Sequence, residues 1–214
     1  MFLQGKEVRF ALVLLVLAGL TYAQELKECK NSTDLKNGCV KTTTTPYGSK
    51  IITPYKNGKI NGIQQIYNAE NKLEQETPYV NNKIEGLSKG YDNEGRVRSI
   101  TPYKNGKING VEKLYYKNKI LKKETPYKNG KINGFVRGYY ENGKPEFILF
   151  YTNGKKDRGG KWYDSKGKIL AEFIYKRDKA TVGRCYQKKM MSKKQLQRYN
   201  ASPYTSTLLS ICKR

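Results

Sequence analysis

The chemistry open to this chain is bounded first by a missing residue type: its 214 residues include no histidine. Mechanisms that need an imidazole base or ligand are thereby excluded. No glycine-rich phosphate loop and no nucleophile elbow follows a strand-like run. Carboxylates occur at Glu74, Glu76, Glu124, Glu146 and Glu172. Glu74 and Glu76 lie two apart and so share a strand face, the placement a glycosidase-like acid pair would need. The plainer reading is preferred: they are solvated groups that keep a strand soluble, since nothing in the pattern suggests the burial that would raise a carboxyl pKa. No catalytic residue, cofactor or metal is expected.

The cations are more ordered. Lys59, Lys83, Lys107, Lys131 and Lys155 recur every 24 residues, and Lys179 continues the series. A second row runs Gln65, Lys89, Lys113, Arg137 and Lys161, each two residues before Tyr67, Tyr91, Tyr115, Tyr139 and Tyr163. Positions two apart on a strand point the same way, so this row and the tyrosine column share a face. Read functionally, such rows suit an extended acidic partner: an acidic glycan, lipopolysaccharide or an anionic membrane surface. Read structurally, they are solubility and edge-protection residues. The formal charge of +24 is what keeps the functional reading open. Basic charge with aromatics also fits single-stranded nucleic acid, but the export signal argues against that as a physiological partner.

The elements that would position these residues follow from the repeat. Thr53-Pro54-Tyr55-Lys56-Asn57-Gly58-Lys59-Ile60-Asn61-Gly62 recurs letter for letter at 101–110 and 125–134, with a looser copy from Thr77 to Gly86. An anchor tyrosine falls at Tyr55, Tyr79, Tyr103, Tyr127, Tyr151 and Tyr175. Within each period Asn-Gly marks a tight hairpin, because both residues tolerate positive φ. Alternating runs on either side read as strands, near 62–68, 73–79, 86–92, 97–103, 110–116, 121–127, 134–140, 146–151, 160–164 and 168–175. The expected fold is all-β: a single-layer antiparallel meander of tandem 24-residue β-hairpin repeats, with a short C-terminal helix.

Units of Asn-Gly-x-x-x-Gly, an apolar–polar run and Tyr resemble the MORN repeat family, in particular its bacterial variant, often labelled an antitoxin component. The matching runs are Asn57-Gly58 to Tyr67, Asn105-Gly106 to Tyr115, Asn129-Gly130 to Tyr139 and Asn153-Gly154 to Tyr163. Asn82 replaces the first glycine of the second unit. Arg158 replaces the second glycine of the fifth, with Gly159 one residue later. The resemblance covers about residues 49–178 and implies a scaffolding, membrane-associated or binding role.

The flanks differ in texture. Lys6 and Arg9, the apolar run Phe10 to Leu20, and Thr21-Tyr22-Ala23 form the three regions of an export signal, cleaved near Ala23. The run is too short to span a bilayer, so the mature chain is expected to have no transmembrane segment and to be secreted or held in the periplasm or cell envelope. Four cysteines agree with an oxidising compartment. Three pairings are possible. Cys29 with Cys39 and Cys185 with Cys212 is the expected one, because the repeats lie between the two pairs. Residues 24–48 and 179–214 would then be disulfide-bearing caps. Ser192-Lys193-Lys194-Gln195 reads as a capping box opening a helix to about Tyr199, which serves as a cap on the last strand or as a basic surface anchor. The reading that results is an exported, non-enzymatic repeat scaffold for an acidic or protein partner. The alternative is an antitoxin-like or immunity protein that neutralises a partner toxin.

Overall fold

A computed structural model describes residues 12–14, 23–186 and 189–212. Most of the expected export signal, including Lys6, Arg9 and residues 15–22, lies outside the described residues. The chain divides into two compact units, Met1–Gly95 and Arg96–Arg214.

In the first unit, Leu12–Leu14 pairs antiparallel with Ala23–Glu25. A meander follows: Cys39–Thr44, Lys50–Lys56, Lys59–Ile60, Gly62–Tyr67, Leu73–Val80, Lys83–Ile84 and Gly86–Tyr91. In the second unit the meander runs Val97–Lys104, Lys107–Ile108, Gly110–Tyr115, Leu121–Lys128, Lys131–Ile132, Gly134–Tyr139, Pro145–Thr152, Lys155–Tyr163, Ile169–Lys176 and Lys179–Cys185. These are the alternating runs of the repeat. The ladder also extends beyond residues 49–178, through Cys39–Thr44 and Lys179–Cys185. The first is rich in β-branched residues, which favour a pleated strand.

Each tight turn has two residues at positive φ, such as Asn57 at 53° and Gly58 at 69°. Where glycine is missing, asparagine serves: Asn81 and Asn82 stand at 49° and 67°. The repeat's second glycine answers a different need. Gly134 has φ 121°, and a Cβ there would come within 3.1 Å of the Pro126 ring. The same contact is made by Gly86 on Pro78 and by Gly110 on Pro102, so the spacing of proline and glycine within the repeat is one contact made again in successive units. Turns one period apart are also linked. The Gly130 amide donates to the Ile108 carbonyl, and the Gly154 amide to that of Ile132.

One sheet face is inward. In the first unit it is polar, with buried Thr53, Thr77 and Ser88, and Thr77 and Ser88 hydroxyls 3.2 Å apart. In the second it becomes apolar toward the C terminus, through Val136, Leu149, Trp162, Phe173 and Tyr175. Helix Lys193–Ala201 packs on this apolar part, with Tyr199 fully buried and stacked on Phe173 at 4.2 Å between ring centroids. The capping box is formed: the Ser192 hydroxyl accepts from the Gln195 amide, and the Gln195 side chain accepts from the Ser192 amide. Two further helices, Ser32–Asn37 and Thr205–Ile211, were not legible, being too short to show a 3.6-residue period.

Both ends of the meander find partners outside the repeat. The helix Ser32–Asn37 offers the Leu35 and Lys36 carbonyls to the amides of Gly58 and Asn57. At the other end, the Asn200 side chain bonds both the amide and the carbonyl of Ala180. The cysteines are joined as Cys29–Cys39 and Cys185–Cys212.

Candidate cationic surface

Each tight turn sets a lysine just after its second turn residue, so Lys59, Lys83, Lys107, Lys131, Lys155 and Lys179 all stand exposed at the turn ends of their hairpins. Opposite most of them, across the turn, stands another lysine. The register pairs Lys56 with Lys59, Lys104 with Lys107, Lys128 with Lys131, and Lys176 with Lys179. Like charges directly opposite each other oppose strand pairing by roughly 0.2–1 kcal/mol. Among the described residues, none of these turn lysines is in an ion pair with a carboxylate.

The second row is differently placed. Lys89, Lys113, Arg137 and Lys161 lie mid-strand on the outward face, interleaved with carboxylates on the neighbouring strands. Glu76 stands opposite Lys89, Glu124 opposite both Lys113 and Arg137, and Glu172 opposite both Lys161 and Arg184. Lys161 and Glu172 form an ion pair at 3.1 Å. That contact holds the Lys161 pKa above its ordinary value. The position that supplies these carboxylates alternates with isoleucine, at Ile52, Ile100 and Ile148, a 48-residue pattern overlaid on the 24-residue one.

The tyrosine column shares this face and is half-buried. Three of its five hydroxyls are engaged within the sheet. Tyr91 donates to Glu76 at 2.6 Å, Tyr139 to Glu124 at 3.1 Å, and Tyr67 to the Gln65 side-chain Oε1 at 3.3 Å. Burial raises the pKa of all three, and the adjacent Glu76 or Glu124 raises it further. Tyr115 and Tyr163 occupy the equivalent positions. Glu76, half of the carboxylate pair singled out in the sequence, is therefore an acceptor for Tyr91 and for Gln65 Nε2 at 3.2 Å. Among the described residues no cluster of three histidine, cysteine or acidic residues could hold a metal ion, and no helix is long and apolar enough to cross a membrane.

Two features escaped the sequence. At four of the six turns a lysine on the near side doubles the outer row, and only the register shows it facing that row. The outward face also carries apolar residues between the two cationic rows, including Val111, Phe135, Ile174 and Val182. Alternation hid these because both faces are partly apolar.

The profile of the MORN repeat variant matches residues 60–81, 84–105, 108–129 and 133–155. The four matched segments follow one another across residues 60–155, under half of the chain, so this stretch is similar to a tandem array of that repeat. No curated protein matches the sequence. Among solved structures, a chain of the Glycosylation Associate Protein (Gap123) complex from Streptococcus agalactiae aligns with 15% identity and a TM-score of 0.21. The alignment covers 78% of the present chain and 24% of that one, so the present chain spans well under two thirds of that protein's length. Lys83, Lys107 and Lys131 fall in the short gaps between the matched segments, and Lys155 is the last residue matched.

Proposed function

We propose that this MORN-repeat protein is an exported, non-enzymatic scaffold whose turn-end lysines engage an extended acidic partner: an acidic glycan, lipopolysaccharide or anionic membrane surface. The observation that carries this reading is the facing of lysine on lysine across four of the six tight turns. That arrangement works against the fold, and the turns are not open sheet edges that need protecting, so an external anion is the better account of it. The second row, tempered by Glu76, Glu124 and Glu172, contributes less. Export is supported by the signal-like N terminus, with cleavage near Ala23, and by two disulfides, which persist in oxidising compartments. Residues 24–48 and 179–214 act in this reading as caps.

An exposed charge contact contributes about 1 kcal/mol or less. Affinity would come from many such contacts at a fixed spacing, like strands of successive repeats lying about 10 Å apart. The test is titration of the chain from Gln24 onward with heparin and with phosphatidylglycerol vesicles, at low and physiological salt. Binding should weaken steeply with salt, since exposed charges are screened beyond about 10 Å at ~0.1 M. Lys107→Gln alone should weaken it by less than about fivefold. Replacing Lys59, Lys107, Lys131 and Lys155 together by glutamine should weaken it far more, with the β-sheet spectrum unchanged. A fourfold variant that binds as the wild type does would reduce these lysines to solubility residues.

A further inference from the structure

The fifth repeat breaks the pattern at two adjacent positions, and the structure places both at one concavity on the outward face. In the first four units the second glycine is followed by a large apolar residue: Ile63, Leu87, Val111 and Phe135. In the fifth the glycine position is Arg158 and the apolar position is Gly159. The apolar band therefore has a gap one side chain wide. A concavity of about 690 Å³ opens there, lined among others by Phe135, Ile148, Phe150, Gly159 and Lys161. That is the size of a small-molecule site, and like such sites it is mostly apolar with a few polar groups.

Arg158 is held over it at a conformational cost, with φ at 59°, where its counterparts in the other units are glycine. Non-glycine residues kept in that region cluster at functional sites. Its guanidinium lies over the Phe150 ring at 4.8 Å, and Arg137 lies over Phe135 at 5.6 Å. The two rings meet edge to face at 4.9 Å. One wall is thus two phenylalanines, each carrying an arginine. A guanidinium stacked on a ring keeps its N–H edge free for a carboxylate, which it can bind through two parallel hydrogen bonds. The carboxylate that also lines the concavity, Glu172, is neutralised by Lys161 at 3.1 Å. The balance of charge calls for an anion, and the walls call for a flat apolar body attached to it.

We infer that this concavity binds a small aryl carboxylate, its ring against Phe150 over Gly159 and its carboxylate on Arg158. The site lies apart from the turn-end lysines and does not depend on their binding a polyanion. Two substitutions test it without straining the fold. Gly159→Val fills the gap with the residue type found at Val111. Gly159 lies outside the backbone region that favours glycine, and nothing is within 4 Å of an added Cβ. Arg158→Gly restores the glycine that the other units carry and removes the guanidinium.

The experiment is a titration of the full exported chain, disulfides intact, with 4-phenylbutyrate at physiological salt, followed by amide resonances in a nitrogen–proton correlation spectrum. The uncharged analogue 4-phenylbutanol is the parallel probe. Shifts should concentrate at Gly159, Gly160 and Lys161, and the alcohol should bind at least about tenfold more weakly. Gly159→Val should abolish the shifts. Arg158→Gly should erase the preference for carboxylate over alcohol. Shifts spread instead over the lysine turns, equal binding of the alcohol, or a Gly159→Val protein that binds as before would each overturn the assignment. Should Gly159→Val fail to fold, the loss or survival of the carboxylate preference in Arg158→Gly decides it.

Discussion

At the scale of the residue, the repeat uses its two glycines for different purposes, and substitution should separate them. Gly130 lies in the tight turn at φ 81°, with open space where a Cβ would stand. Asn82 holds the corresponding place in the second unit at φ 67°. Gly130→Asn should therefore change stability by no more than about 0.5 kcal/mol. Gly134 combines φ 121° with the close Pro126 ring, so Gly134→Ala should cost roughly 1–3 kcal/mol. Urea denaturation midpoints of the two variants check both values. The tyrosines show the same economy of position. Tyr116 and Tyr140 donate to the carbonyls of Tyr139 and Tyr163, each at 2.7 Å, so one bond is repeated 24 residues on.

At the scale of the element, the C-terminal helix Lys193–Ala201 is the element on which the apolar core of the second unit depends. Tyr199 is sandwiched among Trp162, Phe173 and Tyr175, its hydroxyl 2.7 Å from that of Tyr175. Tyr199→Ala should cost about 3–5 kcal/mol, as for other buried aromatics. Ser192→Ala, which removes one half of the capping box, should cost about 1 kcal/mol. Reducing Cys185–Cys212 opens a loop of 27 residues, for which chain entropy gives roughly 3–4 kcal/mol. Hydrogen exchange along Lys179–Cys185 with and without reductant reports that loss, because this strand is the one the tail covers. If its protection is insensitive to reductant, the tail is not what holds it.

At the scale of the whole molecule, stability should have a broad plateau in pH with a defined alkaline edge. Burial, with nearby acidic charge, pushes Tyr140 and Tyr151 up to about 12. Burial also raises Tyr175 and Tyr199. A group whose folded pKa is raised stabilises fully below its unfolded value and loses that contribution as pH rises through the folded one. Stability should thus decline from about pH 10, the ordinary tyrosine value, through about 12. Tyrosinate absorbance and the far-ultraviolet spectrum should change together in that window. At the acid end the sign reverses. Lys27 and the Lys30 amide hold the Asp34 carboxyl below its ordinary 3.8. Its contribution to the Ser32–Asn37 helix is present above that value and is lost as pH falls below it.

The 24-residue period, the Asn-Gly turns, the alternating strands, the local disulfides and the capped helix were all legible in the sequence. Each is a matter of spacing along the chain, or of a residue whose backbone preference admits few conformations. The exposed lysine row was legible for the same reason, since a residue beside a tight turn is almost bound to be at the surface. What faces what across strands was decided only by the tertiary structure. Register set lysine against lysine at four of the six turns and glutamate against Lys89, Lys113, Arg137 and Lys161 mid-strand, and that difference is what separates the two rows. The concavity at Gly159 is likewise tertiary. The sequence shows a repeat that departs from its pattern, but only packing brings Phe135, Phe150 and Arg158 from adjacent strands around the missing side chain.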